Sequence, residues 1–300
     1  MSLRTVLPAA IAMLVSGVTP ADARGNSLAV TRRALADPSS SHLIVVAHRG
    51  CWHPAPENSL AGLAACAKLG VDAVELDVRH SRDGVAVIVH DETLDRTTNE
   101  SGPVADHDWA ELAALRLKSG HGGKDAPLTD QRIPTLDQYL RAAKGRVMIV
   151  FDVKDGSQRK TFAHIERAHM ANQAIFFYEC NDAKLADAIA PFRHRVTTIP
   201  IMFGKDGPLA PAARRCTSNP AGWAHVKWGD AGWLQQTAAA RGKVRLWTAT
   251  MFPADNAGFD DARALTDPDA VWGAQRAAGA AMIMTNQPEA LVAYRARATK

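Results

Sequence analysis

Short apolar runs rich in Val, Ile, Leu and Ala recur along this chain, at 43–47, 71–78, 147–153, 174–178, 196–201, 223–226, 244–247 and 281–284. Segments of helical or mixed pattern lie between most of them, at 159–170, 183–191, 231–241 and 269–278. Continuous apolar runs of this length read as strands buried on both faces, and the intervening segments read as crossover helices of a parallel sheet. Eight strands in this alternation predict an α/β chain of the closed (β/α)8, or TIM-barrel, type. The other solution, an open doubly wound sheet, usually carries a glycine-rich first turn, and G-x-G-x-x-G is absent.

One apolar run breaks the alternation. Residues 85–89 follow the second strand after only six residues, 79–84. A parallel crossover needs about a dozen or more, so this run is expected to return antiparallel, with Asp83-Gly84 as a two-residue hairpin turn. Counting outward from that turn sets His90 opposite Asp77, with Glu75 on the same face. The barrel is therefore expected to carry a hairpin extension after strand two. A long inserted connection, 91–146, precedes strand three; within it, 106–117 is helical in pattern and 120–130 is a glycine- and proline-containing loop. Excursions of this size beside a site often cover substrate. Two helices have readable ends: Asn58 as a cap and Gly70 as a stop, then Thr135 as a cap and Gly145 as a stop.

The N-terminus has Arg4, an apolar stretch 6–18 and Ala21-Asp22-Ala23. That is the pattern of a secretory signal peptide over 1–23, too short to span a bilayer comfortably. It predicts export across the inner membrane, to a bacterial periplasm. Residues 24–41 are polar and read as a linker or N-terminal arm, leaving 42–300 as a single barrel domain. The formal charge of +4 suits a small anionic substrate. It is too diffuse for nucleic acid, and there is no Lys/Arg run interleaved with aromatics. No amphipathic membrane anchor is evident, and nothing in the sequence sets an oligomeric state. Cys51, Cys66, Cys180 and Cys216 allow three disulfide pairings, and no C-x-x-C occurs.

Polar groups cluster at the strand ends. Glu75, Asp77 and Asp152 lie in or at the end of apolar strands, where unpaired carboxylates are costly. Each could pair with a base such as Arg79 or Lys154. Three together call for one divalent cation, and all-oxygen ligands favour Ca2+ or Mg2+ over zinc. His48 and His90 terminate strands beside them and suit proton transfer near neutral pH. Arg49 and Lys154 can hold phosphate oxygens. Trp247 ends a late strand, and Trp223 and Trp228 flank another. Most of these indoles belong in the core, with Trp247 a candidate wall of the substrate pocket.

The order and spacing of His48-Arg49-Gly50, Pro56-Glu57-Asn58-Ser59, Glu75-x-Asp77-Val78, Asp83-Gly84, His90-Asp91, Leu94-x-Arg96-Thr97-Thr98 and Ile133-Pro134-Thr135-Leu136 resemble the glycerophosphodiester phosphodiesterase family, part of a superfamily of phospholipase C-like barrels. Looser matches continue through Phe151-Asp152-Val153-Lys154, Trp247-Thr248 and 279–288. The resemblance implies a site at the C-terminal strand ends. It also implies metal-dependent hydrolysis of a glycerophosphodiester, such as a deacylated phospholipid, to glycerol 3-phosphate and an alcohol. By the same resemblance Glu75, Asp77 and Asp152 hold the metal, His48 and His90 are the acid/base pair, and Arg49 and Lys154 contact phosphate. Glu57 matches a motif carboxylate near the metal and, with Trp247, completes the candidate substrate-binding set. The chain departs from the family pattern at Asp152, usually Glu, and at Thr285-Asn286, usually Thr-Asp; the segment 250–270 is unusually long. Two other readings fit the same barrel: a phospholipase acting on intact lipid, and a non-catalytic glycerophosphodiester-binding protein.

Overall fold

The computed structural model describes residues 27–179, 181–203, 222–227 and 244–298, with the isolated positions 209, 211, 232, 236, 237 and 240. The signal peptide expected over 1–23, Cys180, Cys216, Trp228 and most of the helix expected over 231–241 lie outside the described residues.

Nine strands form one sheet: β1 Ile44–Ala47, β2 Ala73–His80, β3 Ala86–Ile88, β4 Met148–Val153, β5 Ala174–Glu179, β6 Thr197–Phe203, β7 Trp223–Lys227, β8 Arg245–Ala249 and β9 Ala280–Thr285. All but β3 are parallel, and β1 pairs with both β2 and β9, so eight strands close into a barrel. The period-two pleat divides their side chains. Ile44, Val46, Val150, Ile175 and Trp223 fill the interior, while Val45, Val74, Leu76, Ile149 and Phe176 pack outward against the helices. The sequence shows continuous apolar runs because both faces are covered.

Within the stretch read as an arm, Ser27–Ala36 is a helix, α1. Leu28, Ala34 and Leu35 join the barrel's interior cluster. Trp223 Nε1 donates to Leu35 O at 2.9 Å. Arg245 donates to Ala34 O and, at 2.8 Å, to Asp37 O, with its guanidinium 4.3 Å over the Trp223 ring. The helix thus closes the N-terminal end of the barrel. Its apolar residues fall in two triplets, 28–30 and 34–36, around Thr31-Arg32-Arg33, too short a pattern to mark a helix by period alone.

The hairpin forms, but in a different register. Val78 pairs with Ile88, Arg79 with Val87 and His80 with Ala86, so Asp77 faces Val89, whose N–H donates to Asp77 O at 3.1 Å, and not His90. The turn is a three-residue loop: Ser81 N bonds Val85 O, Gly84 N bonds Ser81 O, and Gly84 takes φ 82°. This left-handed residue closing a three-residue loop is a common alternative to the two-residue turn. The Ser81 hydroxyl, accepting from Val85 N at 2.9 Å, favours it.

Helix α2, Leu60–Leu69, is capped by Ser59, which accepts from Gly62 N, and ends at left-handed Gly70. Asn58 is not its cap; it sits one residue earlier at φ 57° and turns its amide to the site. Of the expected helix 106–117, only a 3-10 turn, Val104–Asp106, and the single turn α3, Trp109–Leu112, are helical. Helix α4, Leu136–Ala143, begins at Thr135 in a capping box with Gln138. Helices α5, Gln158–Arg167, and α6, Ala183–Ile189, follow their strands. Cys51 and Cys66 form a disulfide between the loop after β1 and α2. Among the described residues, no helix is long and apolar enough to cross a membrane.

Candidate active site

Ala73 faces the barrel interior, so the pleat also turns Glu75 and Asp77 inward. β4 brings Asp152 directly beside Asp77 in the strand register. Carboxylate oxygens of the three lie within 4.8 Å of one another. Glu75 and Asp77 are 2% and 0% exposed. Burial, with the charges of Asp77 and Asp152, pushes the Glu75 carboxyl well above its ordinary range. Burial and Asp77 raise Asp152 too, against the pull of Lys154. Lys154 Nζ lies 3.0 Å from Asp77 Oδ1 and 2.5 Å from Asp152 Oδ2. Asp77 Oδ1 makes no well-directed hydrogen bond. The Lys154 ammonium and the Arg49 guanidinium, 3.7 Å from Asp77 Oδ2, face three clustered carboxylates, and the donors are all oxygen. This buried acidic cluster could coordinate a divalent metal ion.

One backbone N–H and two side chains fix the carboxylates. Arg49 is held at φ 55°, a conformation uncommon for a residue with a side chain. There its N–H donates to Glu75 Oε2 at 2.9 Å. Asn58 Nδ2 donates to Asp77 Oδ2 at 2.7 Å. The Arg49 Nε lies 3.7 Å from the same oxygen.

Glu57 does not line the cavity. It is 3% exposed, and both oxygens are engaged by Arg96 at 2.8 and 2.9 Å, by His121 and, at 3.4 Å, by Arg49. Burial alone would raise its carboxyl; the bonds from His121 and Arg96 and the charge of Arg49 bring it down to about 2. Its place is behind Arg49, where it aims the guanidinium. The expectation that it touches substrate is corrected accordingly: a strand-distal motif carboxylate with three basic neighbours has no free oxygen to offer.

The cavity, of about 270 Å³, is lined by His48, Arg49, Glu75, His90, Asp152, Lys154 and Trp247 among others. It therefore collects every expected site residue except Glu57 and the deeper Asp77. His48 is 7% exposed; burial, then the charge of Arg49, lowers its pKa to about 4, so the ring is neutral at ordinary pH. Its Nδ1 lies 2.8 Å from Asn286 Oδ1. An amide oxygen only accepts, so this contact suits the tautomer with the proton on Nδ1 and the lone pair on Nε2. His90 Nδ1 donates to Asp91 Oδ1 at 2.6 Å. His90 lines the cavity although it does not face Asp77; β3 ends at Ile88 and the chain bends at His90.

Trp247 is fully buried and forms the cavity's floor, edge-on to Phe177 with ring centroids 5.7 Å apart. His225 packs on it at 4.2 Å. Burial drives the His225 pKa far down, so this ring too is neutral. The sequence reading missed His225 and Lys227, yet they share the inward parity of Trp223 and were open to the same count used for Glu75. Phe252, Asp255 and Asn256 also line the cavity. They come from the segment 250–270, and no sequence pattern points them inward.

The profile described as the glycerophosphoryl diester phosphodiesterase family matches residues 48–215, more than half of the chain. A second profile, of a domain of unknown function, matches 226–295. Glycerophosphodiester phosphodiesterase 1 of Mus musculus is 41% identical over 110 residues, which are 36% of this chain and 33% of that protein. The human protein of the same name is 37% identical over 119 residues, 39% of this chain and 36% of that protein. The matching part therefore spans about a third of the length of these relatives. Among solved structures, a glycerophosphoryl diester phosphodiesterase from Parabacteroides distasonis superposes with a TM-score of 0.70 at 21% identity, covering 91% of this chain and 92% of that one. A phosphodiesterase from Oleispira antarctica, in complex with the product sn-glycerol-3-phosphate, gives 0.61 at 19% identity, covering 84% and 96%. At these identities the structures support the barrel fold.

Proposed function

The chain belongs to the glycerophosphoryl diester phosphodiesterase family, and we propose that it hydrolyses small glycerophosphodiesters to glycerol 3-phosphate and an alcohol. The observation that carries this reading is the convergence of His48, His90, Arg49, Lys154 and two of the three clustered carboxylates on one cavity. That cavity suits a headgroup-sized diester.

The proposed division of labour follows from the hydrogen bonds. Arg49 and Lys154 bind the phosphate oxygens and offset the charge that grows on them during transfer. His48, neutral and with Nε2 free, accepts the proton of the attacking hydroxyl or water. His90 delivers a proton to the departing alcohol oxygen, and the Asp91 carboxylate at its Nδ1 offsets the charge of the doubly protonated ring. Trp247 and Phe177 give the carbon skeleton an apolar wall. Glu75, Asp77 and Asp152 would hold Ca2+ or Mg2+, which supplies Lewis-acid polarisation of the phosphoryl group when bound. We place the protein outside the inner membrane, in a bacterial periplasm: the 1–23 pattern and the Cys51–Cys66 disulfide both suit an oxidising compartment.

The test is release of glycerol 3-phosphate from glycerophosphocholine and glycerophosphoethanolamine, with and without chelator. Turnover that chelator abolishes and that His48→Ala also abolishes is the expected result. Tight binding of either diester without turnover would replace this reading with a binding protein.

A further inference from the structure

The segment 250–270 does more than border the cavity. It returns a buried carboxylate, Asp261, to the end of β9. Asp261 Oδ1 accepts from the hydroxyls of Thr250 and Thr285, each at 2.5 Å, and Oδ2 accepts from Asn286 N at 2.8 Å. The chain holds this arrangement from both sides: Asp261 N donates to Thr250 O at 2.8 Å, and Thr250 N to Met284 O at 3.0 Å. Thr250 and Thr285 are fully buried and Asp261 is 8% exposed. Among the described residues, no Lys, Arg or His forms an ion pair with Asp261. A buried carboxylate without a counter-charge is costly, and here three hydrogen-bond donors alone support it.

What these donors hold is the partner of His48. The backbone of Asn286 is fixed by Asp261, and its side-chain Oδ1 meets His48 Nδ1 at 2.8 Å. His48 is tied to the same turn a second time, its N–H donating to Thr285 O at 3.1 Å. We propose that Asp261 is a positioning residue: through Thr285 and Asn286 it locks His48 in the tautomer protonated at Nδ1, leaving Nε2 free at the cavity. The long segment and the amide at position 286 then form one device. A neutral acceptor beside His48 sets its tautomer without adding charge at the ring, and the carboxylate that anchors this acceptor stands one residue further back. A group that orients the partner of a reacting histidine governs which nitrogen presents its lone pair.

This inference rests on the reading of His48 as proton acceptor, but its test has an independent readout. Nitrogen NMR of ring-labelled histidine, with the His48 signals identified by their loss in His48→Ala, reports the tautomer directly at neutral pH. The wild type is expected to show Nδ1-protonated His48. Asp261→Asn and Asn286→Ala are each expected to mix in the Nε2-protonated form. Both should lower kcat on glycerophosphocholine by about 10- to 100-fold with KM little changed, and the double variant should lose no more than the worse single one. Should Asp261→Asn fail to fold, Thr250→Val removes one donor and carries the same measurement. A wild-type His48 protonated at Nε2, or a folded Asp261→Asn or Thr250→Val protein that keeps the wild-type tautomer and kcat and loses only thermal stability, overturns the proposal and leaves a structural staple. Absence of turnover in the wild type would sink the proposed function, while the tautomer spectra would still decide the clamp.

Discussion

Arg96 grips Glu57 with two parallel bonds, Nη2 to Oε1 at 2.8 Å and Nη1 to Oε2 at 2.9 Å. Bidentate pairs of this kind are among the stronger charged contacts, and this one supports Arg49 from behind. The Glu57 carboxyl is held down to about 2, below its ordinary 4.5. A depressed carboxyl contributes stability that is complete above pH 4.5 and lost as pH falls toward 2. Urea unfolding should therefore find Glu57→Gln less stable than wild type by roughly 3 kcal/mol at pH 7. The gap should narrow between pH 4.5 and pH 2. A gap that is constant with pH would mean that the charge of Glu57 is not what matters.

The acidic cluster makes a separate prediction. A ligand that binds only the folded state stabilises it by about 2.7 kcal/mol at a hundredfold excess over its Kd. Millimolar Ca2+ or Mg2+ should raise the melting temperature of the wild type, and chelator should reverse the rise. Asp77→Asn removes the central carboxylate, which lies 3.0 Å from Lys154, and should abolish the response. A thermal shift of equal size in that variant would place the cation elsewhere.

For the histidines, the expected outcome is kinetic. His48→Ala and His90→Ala should each lower turnover by about 10²- to 10⁴-fold, the usual contribution of a positioned acid or base. Circular dichroism should show both proteins folded. Near-normal turnover in His90→Ala would remove it from the mechanism.

Reduction tests the disulfide. Cys51 and Cys66 are 15 residues apart, and closing a loop of that size is worth about 3 kcal/mol. Reductant should lower the denaturation midpoint by a corresponding amount in wild type and leave a Cys51→Ala/Cys66→Ala protein unmoved. A midpoint indifferent to reductant would show that the helix α2 contacts alone hold this loop.

The eight parallel strands were legible because burial on both faces leaves a local signature, an unbroken apolar run. The inward direction of Glu75 and Asp77 was legible for a similar reason, since parity along one strand is a local property. Asn58 was misread as a helix cap because capping chemistry fits Asn and Ser equally well; the amide's bond to Asp77 at 2.7 Å, with Ser59 beside it, settles which does what. Glu57 was assigned to substrate because its motif says nothing of Arg96 and His121, which arrive from 39 and 64 residues away.

The sequence by itself determined the barrel, the antiparallel return of β3 and the inward direction of Glu75 and Asp77. Each of these follows from periodicity, chain length or residue type within a short window. Tertiary structure alone decided the hairpin register, because both two- and three-residue loops can carry Asp83-Gly84 and the Ser81 hydroxyl bonds Val85 N in the three-residue form. It also decided that α1 stoppers the barrel and that Cys51 pairs with Cys66. Above all it decided the partner of His48: Asn286 lies 238 residues away, and its backbone is held by a carboxylate from a third segment. Such bonds depend on where the closed barrel brings β1 and β9 together, and no local pattern encodes that meeting.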